Sequence, residues 1–236
     1  MRVFALLVLA LALAAPASGR ERQRPSPDRE QPRPQRPGYA NPSAVIAAEI
    51  ALNHLARDKG QWAAYREMAA PEAEFFVPQR VKAAEWLKGR AEPSTVAERR
   101  TQEVWMSCDG TYAVTRGSWR MANAQGFYFK VWQRQEKRGE YKWLLDQGFP
   151  LAEALPEPEM IAAHVADCSG TAPAIGVAAS TTSGAIVAGE TESSDDGTLA
   201  WTALPDPGAA PSLIVNMWRD GRMQDVLRAG AAIPQP

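Results

Sequence analysis

Residues 102–147 read QEVWMSCDGTYAVTRGSWRMANAQGFYFKVWQRQEKRGEYKWLLDQ. Apolar and polar side chains alternate along this stretch with a period near two, and the alternation is interrupted at Asp109-Gly110, at Asn123 to Gly126 and at Lys137 to Glu140. Alternation with turn residues between the runs predicts four antiparallel strands, 102–108, 111–121, 127–135 and 141–147, joined as a β-meander. Val, Tyr, Phe and Trp dominate them and suit a pleated surface that is at least half buried.

Upstream the period is close to 3.6. Asn41-Pro42 is a helix start, with Asn at the cap and Pro at the first helical position. Val45, Ile46, Ala48, Ile50, Leu52, Leu55 and Ala56 then form an apolar face on a helix ending near Asp58, before Gly60. A second helix is expected over Gln61 to Ala69, a short buried strand at Phe75-Phe76-Val77, and a third helix over Val81 to Lys88. Helices first and antiparallel strands afterwards make an α+β fold.

The N-terminus is different. Arg2 precedes an unbroken apolar run from Val3 to Ala15, followed by the small residues Ala17, Ser18 and Gly19. This predicts a signal peptide over 1–19 and an exported product, periplasmic or secreted, because 13 apolar residues fall short of the roughly 20 that span a bilayer. Residues 20–42 hold six Pro and six Arg against three acids and are expected to form an extended tether.

The whole chain of 236 residues is nearly neutral, with a formal charge of -1. It offers no overall basic field for nucleic acid, and no transmembrane segment is expected after signal cleavage. No GxGxxG, Walker A, HExxH or GxSxG pattern occurs, and with two Cys and two His no metal site or cofactor is expected. Residues 43–152 contain 16 Lys and Arg against 13 acids, whereas 153–236 contain three against 11. That break predicts a main domain at 43–152 and a C-terminal β-rich appendage at 153–236. In the appendage a short helix is expected over Glu159 to Ala166, with strands at Leu199 to Leu204, Ser212 to Arg219 and Met223 to Leu227. Asp220-Gly221 marks a hairpin and Pro205 to Pro211 a loop. No internal repeat is read in the chain, and Glu190, Glu192, Asp195 and Asp196 read as a solvated acidic loop.

Within 43–149, Gly60-Gln61-Trp62 with Ala64-Tyr65, then Met68 to Phe76, and finally Phe127 to Arg134 followed by Tyr141 to Asp146, resemble the nuclear transport factor two-like superfamily. The ketosteroid-isomerase-like and polyketide-cyclase-like (SnoaL-like) proteins share that fold. The resemblance implies a cone of helices on a curved antiparallel meander, with an interior able to hold a small apolar molecule. The chain departs from it at Glu72, where many relatives have Asp, and at Asp146-Gln147-Gly148-Phe149, where a His is common. Enzymes on this fold move a proton with a buried acid or His.

Candidate proton-transfer residues are therefore Asp146, His54 and Tyr65, with Glu103 sharing the question of which way it faces. Asp146 pointing into the cone beside Tyr65 or Tyr128 would favour catalysis, and at the rim would remove it. The candidate ligand-binding set is Tyr65, Trp86, Trp105, Tyr112, Arg116, Tyr128 and Trp132. Aromatics on both strand faces require a cover on the second face, either another subunit of a homodimer or the appendage. Cys108 and Cys168 are expected to form a disulfide. The reading is a non-catalytic small-molecule-binding or protein-interaction module; the alternative is a lyase or isomerase acting by acid–base proton transfer on a small apolar substrate.

Overall fold

The computed structural model describes residues 39–77, 79–169, 190–204 and 212–229. The expected signal peptide, nearly all of the tether and the Pro205 to Pro211 loop fall outside these residues.

Helix α1 (Pro42–Lys59) opens with Pro42 at its first position, although the Asn41 side chain makes no capping bond. It ends at Gly60, whose φ of 104° is open to glycine. Helix α2 (Gln61–Met68) follows at once. Its N-terminus is capped from a distant loop: the Glu92 carboxylate accepts the Trp62 and Ala63 backbone N–H groups at 2.7 and 2.8 Å. Strand β1 (Ala69–Phe76) pairs with β2 (Arg80–Lys82), and α3 (Ala83–Leu87) comes next. The helix expected from Val81 to Lys88 therefore starts two residues late. Arg80 and Lys82 are drawn into the strand because both ion-pair with Glu74 across the β1–β2 ladder.

The meander forms as β3 (Glu98–Met106), β4 (Tyr112–Met121), β5 (Ala124–Arg134) and β6 (Tyr141–Pro150). The expected helix over Glu159 to Ala166 is instead β7 (Ala162–Val165), which pairs in parallel with β3 while its His164 ring stacks on Trp105 at 5.7 Å. The main sheet runs β2-β1-β6-β5-β4-β3-β7.

A second, four-stranded sheet has the order β11-β10-β9-β8. Its strands are β8 (Glu190–Ser193), β9 (Leu199–Leu204), β10 (Ser212–Arg219) and β11 (Arg222–Ala229). The hairpin at Asp220-Gly221 closes β10 to β11 with φ of 50° and 74° at the two turn residues.

Register sorts the side chains of the main sheet. Thr115, Lys130 and Asp146 lie side by side across β4, β5 and β6 and face the helices. Val114, Val131 and Leu145 fall on the opposite face and are buried at 1% exposure or less. They join Leu199, Trp201, Leu213, Val215 and Met217 of the second sheet in one apolar cluster. The cover for the outer face is thus the chain's own β8–β11 sheet, and a homodimer across that face would require this sheet to leave. Cys108 and Cys168 are bonded, with Cα atoms 5.3 Å apart, linking the β3–β4 turn to the chain beyond β7.

Candidate functional site

The helix-facing side of the sheet encloses charge. Glu49 occupies the stripe that buries Val45, Leu52 and Ala56 of α1, and it is 1% exposed. Lys130 stands opposite it, fully buried, between Tyr128 and Trp132 on the same face of β5. Its ammonium lies 3.4 Å from Glu49 Oε2 and 3.3 Å from Asp146 Oδ2. Arg99, from the start of β3, reaches Asp146 with Nη1 at 2.8 Å and Nη2 at 3.4 Å, and the Tyr65 hydroxyl donates to Asp146 Oδ2 at 3.1 Å. Glu49 Oε1 accepts from the Thr115 hydroxyl at 2.5 Å and from Trp132 Nε1 at 3.0 Å.

Two acids and two bases are neutral together, which is the condition for burying charge at tolerable cost. Aromatic faces contribute as well. The Arg99 guanidinium lies 4.9 Å from the Tyr128 ring centre, and the Lys130 ammonium lies 5.2 to 5.3 Å from the rings of Tyr65, Tyr128 and Trp132. Tyr128 has room because Gly117 sits across from it; a Cβ there would lie 2.1 Å from the Arg100 carbonyl oxygen and 2.8 Å from the Tyr128 ring.

Burial by itself would raise the Asp146 carboxyl, but the charges of Arg99 and Lys130 and the bonds from Arg99 and Tyr65 outweigh it and hold the group below its ordinary value. Lys130 moves down, because burial disfavours its charge more than Glu49 and Asp146 favour it. Burial raises Tyr65 and Tyr128 well above the usual phenol value. The Asp146 carboxyl is therefore not raised toward neutral pH, the usual mark of a general base on an apolar substrate.

Of the residues singled out in the sequence, Tyr65, Tyr128, Trp132 and Asp146 come together here. His54 does not; it is exposed on α1, 3.1 Å from the Arg57 guanidinium. Trp86 packs against Trp62 and Phe75, each at 5.0 Å, with the Arg90 guanidinium over its ring at 3.6 Å. Trp105 stacks on His164, and Tyr112 accepts a bond from Gln133 at 2.9 Å. Arg116 pairs with Glu103 at 3.1 Å, on the face opposite the cluster. Glu49, Lys130 and Arg99 were missed. Their signal was present: Glu49 holds the position in the Val45–Leu52–Ala56 stripe where an apolar residue belongs, and Lys130 alternates with Tyr128 and Trp132.

Outside the cone, an open groove of about 510 Å³ runs beside α1, lined by Ala44, Ala48, Ala51, Leu55, Met68 and Tyr141 among others. Among the described residues no group of His, Cys, Asp and Glu is placed to hold a metal ion, and no helix is long and apolar enough to cross a membrane.

In the described residues three helices lie on a curved, largely antiparallel sheet, an α+β fold. Solved structures, several of them named nuclear transport factor two-like, are similar to about half of this chain. A nuclear transport factor two-like protein of unknown function from Shewanella oneidensis is 12% identical, over 45% of this chain and 97% of its own, with a TM-score of 0.38. The beta subunit of benzoate 1,2-dioxygenase from Burkholderia mallei is 14% identical over 48% and 91%, with a TM-score of 0.36. A nuclear transport factor two-like protein from Cytophaga hutchinsonii is 11% identical over 47% and 98%, with a TM-score of 0.35. No family model matches the chain, and no curated protein matches it.

Proposed function

We propose that the protein is an exported, non-catalytic interaction module whose cone serves as a rigid scaffold rather than as a reaction chamber. The observation that carries this reading is the occupation of Asp146. An inward Asp beside Tyr65 is the arrangement that, standing alone, favours proton transfer. Here Arg99 engages both carboxylate oxygens and Lys130 sits against one of them, so the ionised form is stabilised and is a weak base. Tyr65, Tyr128 and Trp132, which would line a ligand chamber, instead surround the two cations at exposures of 2% or less. Among the described residues, the open groove beside α1 offers a partner a surface. Export is supported by the leader-like residues 1–19 and by the Cys108–Cys168 bond, which an oxidising compartment sustains.

Acid–base catalysis is the second reading, and the 3.1 Å Tyr65–Asp146 bond is what favours it. Native mass spectrometry of the mature protein, purified from its exporting host, separates the two. The scaffold reading expects the intact mass to equal the denatured mass; a bound small molecule released on denaturation, and lost in Tyr65→Phe, would overturn it.

A further inference from the structure

The turns Ser107-Cys108-Asp109-Gly110-Thr111 and Ser194-Asp195-Asp196-Gly197-Thr198 share the pattern Ser-x-Asp-Gly-Thr. They also share a conformation. In each, the Asp Oδ1 accepts from the Ser hydroxyl (2.6 and 2.7 Å) and from the Thr hydroxyl (2.8 Å in both). The Gly has a φ of 67° in one and 69° in the other.

The correspondence continues into the strands. The Thr111 carbonyl accepts Arg134 N–H and the Thr198 carbonyl accepts Trp218 N–H, both at 2.8 Å. The pairs Val114↔Val131 and Trp201↔Val215 then hold equivalent places. Each meander has a bulge at the same point, after Val131 between β5 and β6 and after Val215 between β10 and β11. The β8–β11 sheet is a shortened repeat of β3–β6, and equivalent faces of the two meet in one core.

The two turns also bond each other reciprocally. Asp109 N–H donates to Asp196 Oδ2 at 2.8 Å, and Asp196 N–H to Asp109 Oδ2 at 3.0 Å. Cys108 N–H donates to Thr198 Oγ1 at 2.9 Å, and Asp195 N–H to Thr111 Oγ1 at 3.3 Å. This is the bonding rule of a two-fold interface, in which residue i meets j and j meets i, realised inside one chain. A turn that binds its own repeat in this way is self-complementary.

We propose that the outer face of the β3–β6 meander, with the turn 107–111, is a self-association surface that β8–β11 occupies in cis, so that lifting the second sheet lets a second copy of this chain take its place. Trp201→Glu, in the full mature chain with its disulfide intact, puts a charge into the contact between the sheets and leaves β3–β6 unaltered. Sedimentation equilibrium should then give a mass approaching twice the monomer as concentration rises, at concentrations where the wild type shows no such increase. Adding Asp109→Ala, which dismantles the self-complementary turn, should abolish the increase. A Trp201→Glu chain that stays monomeric, or one whose association, whether dimeric or of mixed higher mass, is insensitive to Asp109→Ala, would overturn the proposal. Should Trp201→Glu fail to fold, Asp196→Ala breaks the clasp from the second turn alone and is read by the same outcomes.

Discussion

Lys130→Met keeps the length of the side chain and removes its charge. In the native protein the ammonium is fully buried, 3.4 Å from Glu49 and 3.3 Å from Asp146. At an effective dielectric of about 20, each contact corresponds to roughly 5 kcal/mol of attraction, opposed by a desolvation penalty of several kcal/mol per ion. The net value of the cluster is therefore small, while the cost of breaking it is not. Asp146 keeps Arg99, but Glu49 loses its cation and is left as a buried carboxylate held by Thr115 and Trp132 alone. A loss of about 3–5 kcal/mol is expected. In the double variant Glu49→Gln/Lys130→Met the charge is removed in balance, and the expected loss falls to about 1–2 kcal/mol, below that of the single variant. Urea unfolding of the oxidised protein measures both, provided the slopes agree. A single variant costing under about 1 kcal/mol, or a double variant at least as unstable as the single, would refute the reasoning.

Other consequences are simpler. Gly60→Ala is expected to cost about 2 kcal/mol in the same assay, because a Cβ at φ 104° would sit 2.6 Å from Glu92 Cδ and push the α2 cap away. Changing Cys108 and Cys168 together to Ser opens a link of 60 residues in sequence and should cost roughly 4 kcal/mol in the chain-entropy account, read as a shift in urea midpoint. Acid stability follows from Asp146. Its folded pKa lies below the unfolded one, so its contribution is complete above the unfolded value near 4 and is lost as pH falls through the folded value. Asp146→Asn should therefore flatten the loss of stability below about pH 4, as followed by circular dichroism; an unchanged acid limb would count against an ionised Asp146.

The strands and their turns were legible because each depends on neighbours in sequence: alternation, Asp-Gly, and aromatic enrichment. What escaped depends on partners far away. β2 forms because Glu74 attracts Arg80 and Lys82, which trims the helix expected over 81–88 to Ala83–Leu87, and β7 forms because β3 offers a free edge, so local helical spacing at 159–166 pointed the wrong way. The sequence leaves Asp146 open between the cone interior, beside Tyr65 or Tyr128, and the rim, and the Tyr65–Asp146 bond places it inward. The cations that neutralise it were not legible, since a Lys or Arg in a strand reads as solvent-facing until the opposing acid is known. Asp195 and Asp196 read as a solvated loop for the same reason, and the repeat at 107–111 and 194–198 went unnoticed because only five positions carry its wording, while the rest lies in hydrogen bonding and bulge placement.

The central claim, that Asp146 is a charge-locked structural anion rather than a base, is tested most directly by its own titration. Carboxyl carbon NMR of selectively labelled protein, assigned with Asp146→Asn, should show Asp146 ionised throughout the neutral range and still ionised when the pH falls below the ordinary carboxylate value. An Asp146 signal that titrates upward, between about pH 5 and 8, would mean a carboxyl poised to take a proton near neutrality and would contradict the account.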